Sequence, residues 1–269
     1  MNIYILSDIH LEFYKGLPPF DKVINVDITQ HNVLCLCGDI GYPHKKIYTE
    51  FLEWCSNTFA KVFVIAGNHE YYSSEYTMRD IKERIQFVCS QYPNITFLNK
   101  TTELYNGILF VGTTLWTDLK IDDNHHIFRV HYFNDFKMIH TDSGTPMTLE
   151  HYDYLNAKEV AWLYNTLADE VNCNTPVIVM THHLPSKHCI HPMYKDDPLN
   201  FMFATDLEYI VREFRNIVYW FAGHTHKASE VQIENTRIIV NPIGYPGENY
   251  DINWCKKVEV GAGSTFPAH

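Results

Sequence analysis

Five short apolar runs in this 269-residue chain each end in side chains that can bind a metal or move a proton. Ile3–Leu6 leads into Ser7-Asp8-Ile9-His10, and Val33–Cys37 into Gly38-Asp39. Val62–Ala66 leads into Gly67-Asn68-His69-Glu70. Val177–Met180 is followed by Thr181-His182-His183, and Ile217–Ala222 by Gly223-His224-Thr225-His226. Carboxylate, neutral imidazole and amide oxygen form a mixed donor set that suits Mn, Fe, Zn or Co, whereas Mg and Ca favour mostly oxygens. In Asp8-x-His10 and His224-x-His226, the i, i+2 spacing puts both side chains on one face of extended chain. Glycines before Asp39, Asn68 and His224 permit sharp turns out of a strand. Two divalent ions about 3.5–4 Å apart and sharing a carboxylate would activate water and polarise phosphoryl oxygens. Taken singly the pieces are ordinary: a D-x-H arises by chance, Gly-Asp is usually a turn, and Gly-His-Thr-His can be a satisfied polar loop. Their shared position after five apolar runs is what chance does not supply.

The elements that must position them read as strands interleaved with helices. With Ile95–Leu98 and Ile108–Val111, the five runs make seven segments of four to six residues, rich in Val, Ile and Phe, each read as a buried strand. If they form α/β sheets, the polar residues at their C-terminal ends fall where such sheets build active sites. Helical 3–4 spacing links Ile47, Phe51, Trp54 and Cys55, then Met78, Ile81, Ile85 and Val88. It recurs in Val160, Leu163, Leu167 and Val171, and in Leu207, Ile210, Val211 and Phe214, where Thr205 and Glu208 stand at capping-box spacing. Val231–Ile233 and Arg237–Val240 flank a turn and predict a hairpin. The chain reads as one domain, 1–269, without repeat or linker. Residues 117–147 lack periodicity and are expected to form loops or a small cap over one edge.

Composition narrows the partners. The net charge of −11 comes from 21 basic and 32 acidic residues, with no Lys/Arg run, so there is no strong nucleic-acid signal. No segment has the roughly 18 consecutive apolar residues of a membrane span, and the MNIYILSDIH start lacks a signal-peptide pattern. The seven cysteines are odd in number and include no CxxC pair, which fits free thiols in a reducing compartment. A cytoplasmic location is the expectation.

The series Asp8-x-His10, Gly38-Asp39, Gly67-Asn68-His69-Glu70, His182 and Gly223-His224-x-His226 resembles the signature of the calcineurin-like metallophosphoesterase superfamily, in order and in separation. Gly112-Thr-Thr-Leu-Trp-Thr-Asp118 and Asn241-Pro-Ile-Gly-Tyr245 resemble stretches of a bacterial-type branch of it. The resemblance implies a four-layer α/β/β/α sandwich and two divalent metal ions, manganese among the candidates. One ion would be held by Asp8, His10 and His226, the other by Asn68, His182 and His224, with Asp39 bridging and catalytic. His69 would be the general acid or would orient the phosphate. The implied activity is hydrolysis of phosphate esters on small phosphorylated or nucleotide-like substrates, phosphodiesterase before phosphomonoesterase. Gly38-Asp39-Ile40-Gly41 lacks the second Asp and the Arg found in protein Ser/Thr phosphatases of the superfamily, which argues against that activity.

Other residues carry competing readings. His183, Tyr72 and Trp116 are candidates for substrate contact, against packing beneath the site. His125, His126, His131 and His140 could form a third metal site, although loop residues are the simpler reading. Tyr245 and Glu248 could line the cleft. A nuclease would need a positive groove that the charge does not provide. A non-enzymatic scaffold of the same fold would be expected to lose ligand positions, and all seven are filled. No HxHxDH run supports a metallo-β-lactamase-type hydrolase.

Overall fold

The computed structural model describes residues 1–27, 30–119, 132–169 and 175–260. Strands β1 (Asn2–Leu6), β2 (Asn32–Cys37), β3 (Lys61–Ile65) and β4 (Ile95–Phe97) run parallel in one sheet. A second sheet holds β5 (Thr101–Tyr105), β6 (Ile108–Gly112), β7 (Val177–Met180), β8 (Ile217–Ala222), β9 (Ser229–Ile233) and β10 (Thr236–Val240), in the order β5-β6-β7-β8-β10-β9. Its inner four strands are parallel, and β5 and β9 are antiparallel edges. Finally β11 (Lys257–Glu259) returns to the first sheet, antiparallel to β1.

Period-2 alternation explains the layering. Ile3 and Ile5 of β1, Val33, Cys35 and Cys37 of β2, and Phe63 and Ile65 of β3 face the second sheet. There they join Phe110, Ile178, Met180, Phe221 and Ile239 in one buried core. Phe63 stacks on Phe110 across this interface, ring centroids 4.1 Å apart. The alternate residues Tyr4, Leu6, Leu34, Leu36, Val62 and Val64 face outward into a second core. That face is covered by α2 (Lys46–Thr58) and α3 (Met78–Cys89), which follow the short α1 (Phe20–Val23). After α4 (Asp135–Met138), α5 (Leu149–Ala168) and α6 (Glu208–Glu213) cover the outer face of the second sheet through Leu163, Leu167, Ile210 and Val211. The result is the four-layer α/β/β/α sandwich.

All seven apolar runs are strands, and Glu234-Asn235 is a two-residue hairpin turn between β9 and β10. Edge strands β5 and β11 carry no apolar signal: β5 is largely exposed, and only Val258 of β11 is buried. Helix α5 begins well before Val160, at Leu149, behind a Thr148 cap; Val171 lies outside the described residues. The capping box expected at Thr205 and Glu208 is absent. Leu207 is the N-cap and makes no side-chain cap. Thr205 Oγ1 instead accepts from the Asp118 and Asn156 nitrogens, and Glu208 accepts from Ser186 and Arg212. The capping box that does form is Thr77 with Asp80, opening α3.

Candidate metal and catalytic site

In-register pairing (Leu6 with Leu36, Cys37 with Ile65, Met180 with Phe221) brings the C-terminal ends of the parallel strands to one edge of the sandwich. Backbone bonds then stitch the following loops together: Asp8 N–H to Gly38, His10 N–H to Asp39, and Gly223 N–H to His182. The loops leave their strands through unusual backbone. Asp8, His10, Asp39, His224 and His226 all have φ between 51° and 73°, a region non-glycine residues rarely occupy. Gly38 also has positive φ, as a sharp turn requires. Gly67 and Gly223 are there for room instead. A Cβ on Gly67 would lie 2.1 Å from Asp39 Oδ1, and one on Gly223 would lie 2.6 Å from Asp8 Oδ2.

Seven sequence-predicted ligand residues meet here, around Asp39. Its Oδ1 accepts the His69 N–H at 2.9 Å, while Oδ2 lies 3.4 Å from His182 Nε2 and 3.8 Å from His10 Nε2. Candidate ligand atoms of Asp8, His10, Asp39 and His226 lie within 4.8 Å of one another, as do those of Asp39, His182 and His224. Asn68 Oδ1 adjoins the second group, 3.1 Å from His182 Nε2.

The protonation logic favours a cation at both places. Nδ1 of His10 is 3.0 Å from Glu12 and Nδ1 of His226 is 2.7 Å from Glu248, so each carboxylate holds the ring proton on that nitrogen. Both Nε2 atoms are then lone-pair donors, yet they face each other at 2.9 Å. His182 Nδ1 donates to the Cys37 carbonyl at 2.9 Å, which points its Nε2 lone pair at Asn68, Asp39 and His224 Nδ1 (3.2 Å). Lone pairs that converge in this way need a proton or a cation between them. Burial pushes the His182 pKa down, but Asp39 outweighs it and raises the value to about 10. Burial likewise works against the Asp39 charge, and His182, His69 and His10 overcome it, holding the carboxyl well below its usual range. The residues present therefore fit divalent ions, which would replace those protons.

Three acidic residues organise this cluster. Glu70 is fully buried and accepts backbone N–H bonds from Gly67 (2.7 Å), Asp39 (2.9 Å) and Ile40 (2.7 Å), locking the loops after β2 and β3 together. Burial, reinforced by Asp39, raises its pKa to about 7. Glu12 accepts from both His10 and His69 Nδ1 (3.2 Å); burial opposes its charge, and those two hydrogen bonds keep it below the usual range. Asp135 of α4 is 2% exposed and takes hydrogen bonds from Asn68 Nδ2 (2.8 Å), Tyr72 OH (2.5 Å) and Tyr152 OH (3.3 Å). By engaging the Asn68 amide nitrogen, Asp135 leaves Oδ1 turned towards His182. Glu12 stands at the same i, i+2 spacing after Asp8 and His10, a signal present in the sequence, although the backbone there is left-handed and then a 3-10 turn rather than the extended chain expected. Asp135 has no such signal, because α4 is one turn in an irregular segment.

A cavity of about 450 Å³ opens over the cluster. Asp39, Asn68, His69, Tyr72, His224, His226, Tyr245 and Glu248 line its floor, and Tyr132, Phe133, Tyr194, Asp197 and Phe203 are among the residues of its walls. His69 Nε2 is 3.3 Å from the Tyr245 hydroxyl. Of the three substrate candidates, only Tyr72 lines this cavity. Trp116 and His183 are buried behind it: Trp116 packs edge-on to Tyr152 (5.0 Å), and His183 packs 4.2 Å from the His224 ring. Burial and His182 push the His183 pKa down to about 3, so the ring is neutral. His140 bonds the Ser73 carbonyl and belongs to no group of candidate ligands among the described residues. His125, His126 and His131 lie outside the described residues.

Comparison with known proteins identifies the family and the fold. The family model for calcineurin-like phosphoesterases matches residues 1–228. An uncharacterized protein of Acanthamoeba polyphaga mimivirus is 27% identical over 264 residues, 92% of each chain. The fold is similar to that of the phosphopantetheinyl hydrolase PptH from Mycobacterium tuberculosis, with TM-score 0.71 and 15% identity over 96% of this chain and 95% of that one. A Thermus thermophilus protein aligns with TM-score 0.54 and 12% identity over 90% and 88%. No described helix is long and apolar enough to cross a membrane. The chain belongs to the calcineurin-like phosphoesterase family, and is with it a metal-dependent hydrolase of phosphoric esters.

Proposed function

We propose that the protein is a two-metal phosphodiesterase acting on small phosphorylated or nucleotide-like molecules. The observation that carries the two-metal reading is the convergence of imidazole nitrogens and the Asn68 amide oxygen around Asp39, which only a proton or a cation between them can hold together. Asp8, His10 and His226 would hold one ion, Asn68, His182 and His224 the other, and Asp39 would be shared. The nitrogen-rich donor set suits Mn, Fe, Zn or Co. When bound, such ions supply Lewis acidity for the phosphoryl oxygens and for an attacking water. His69 gives its proton to the leaving-group oxygen from Nε2, while Glu12 holds Nδ1 and fixes the ring.

Among the described residues no Lys or Arg lines the cavity. A monoester dianion would have to be neutralised by the metals alone, whereas a diester brings one negative charge, and this supports the diester reading. The same absence, with the −11 charge, counts against a nuclease. The whole chain would act as one domain, and the described parts of segment 117–147 would serve as a small cap, supported by Asp135 against Asn68 and Phe133 on the cavity wall; residues 120–131 lie outside the described residues. The six described cysteines are free, which suits a reducing, cytoplasmic setting.

The test is hydrolysis of bis-p-nitrophenyl phosphate and p-nitrophenyl phosphate with added Mn²⁺ by wild type, Asp39→Asn and His69→Ala. Faster turnover of the diester, reduced at least about 100-fold in both variants, is expected. Faster turnover of the monoester would reverse the preference, and failure to bind metal with no turnover would end the reading.

A further inference from the structure

Above the candidate metal cluster the cavity changes character. Tyr72 and Tyr245 stand beside His69, whose ring is 4.3 Å from that of Tyr72. Further out, Phe203 packs 4.9 Å from the His224 ring, with Phe133 6.3 Å from Phe203, and Tyr194 also lines the cavity. These residues come from two irregular segments, one around α4 and one made of short 3-10 turns between β7 and α6. Aromatic walls offer flat, polarizable faces suited to offset or edge-on packing with another ring. The charged residue lining the outer cavity is the acid Asp197, and no cation among the described residues joins it. At about 450 Å³, the space falls within the range of roughly 300–1,000 Å³ that holds organic ligands, far more than a phosphoryl group fills.

We infer that the substrate carries a single phosphoryl group, joined to an alcohol that bears a flat, uncharged ring lying against Tyr194 and Phe203. Molecules with a second phosphate bind more weakly. The phosphoryl group would have its counter-charge at the candidate metal cluster, whereas a second phosphate would meet aromatic faces and the Asp197 carboxylate. The inference deepens the phosphoesterase reading and rests on it for the position of the phosphoryl group.

Calorimetric binding to the full-length, Mn²⁺-loaded protein tests the inference without relying on turnover. The probes are methyl phosphate, thymidine 5'-monophosphate and thymidine 3',5'-bisphosphate. The expected order puts thymidine 5'-monophosphate at least about tenfold tighter than methyl phosphate, with the bisphosphate weaker than the monophosphate. Tyr194→Ala, on a side chain that is 40% exposed, and Phe203→Leu should each weaken the monophosphate severalfold and leave methyl phosphate unchanged. Equal affinity for methyl phosphate and the thymidine monophosphate would overturn the inference. So would tightest binding of the bisphosphate. Hydrolysis of bis-p-nitrophenyl phosphate is followed in parallel. Selective binding without hydrolysis would sink the phosphoesterase reading and leave the ring site standing, and hydrolysis without selectivity would do the reverse.

Discussion

Asp39 is fixed from three directions: its N–H by Glu70, its Oδ1 by the His69 N–H, and its position by the missing Cβ of Gly67. Asn68 is fixed with equal care, but from outside the motif, by Asp135. An Asp135→Ala variant frees the amide to flip its nitrogen towards His182. Metal affinity at the Asn68 site should fall about 10- to 100-fold, with the Asp8 site little changed, as two-phase Mn²⁺ calorimetry would show. Equal affinity in variant and wild type would mean that the amide orientation does not depend on Asp135. The ligand set itself was legible because each candidate sits directly after an apolar strand. Asp135 was not, since its partners are 67 and 63 residues away in the chain and no local pattern announces them. Trp116 and His183 show the opposite limit: strand-end position drew attention to them, but burial depends on packing that spacing does not encode.

At the scale of elements, helix α5 does more than cover a sheet. Its Glu159 accepts the Leu115 N–H at 2.6 Å and the Trp116 N–H at 3.3 Å, supporting the turn after β6 where Leu115 has φ 58°. Lys100 lies 3.6 Å from the same carboxylate. Burial raises the Glu159 pKa from its ordinary 4.5, and Lys100 and the two N–H donors only partly oppose it. The folded state thus binds this proton more tightly than the unfolded chain does. Its contribution to stability is full below the ordinary value and is lost as pH rises through the folded value. Glu159→Gln removes that slope. Relative to wild type, its Tm should be lower or equal near about pH 4 and should gain on wild type by about pH 7. A constant difference across that range would refute the assignment. Of the elements, the buried strands and amphipathic helices were readable from periodicity. Strand β5 was not, because its side chains are mostly exposed, and the Thr205–Glu208 spacing misled because both side chains have stronger tertiary partners.

For the whole molecule, the candidate metal cluster spans both sheets. Asp8 comes from the first sheet and takes the His224 N–H of the second at 3.0 Å, and Asn241 after β10 donates to the Ile5 carbonyl at 2.8 Å. Divalent ions held between ligands of both sheets should therefore stabilise the entire fold. At about 100 times the dissociation constant, Mn²⁺ should add roughly 2.7 kcal/mol, and a chelator should lower Tm by several degrees. Thermal melts with and without chelator check this; identical melts would mean that the metals do not bridge the sheets. The left-handed backbone of five candidate ligands has a further consequence. Each such residue costs on the order of 1–2 kcal/mol, a cost that bound metal offsets but the metal-free protein bears. His226→Gly and His226→Ala both delete the ligand, and they differ only in whether a Cβ must tolerate φ 51°. In metal-free melts the glycine variant should be at least as stable as the alanine variant, the reverse of the order in ordinary helix or strand. Laboratory evolution for heat resistance in metal-free medium would then act against these candidate ligands, and the lineages that survived best would be those that gave them up first.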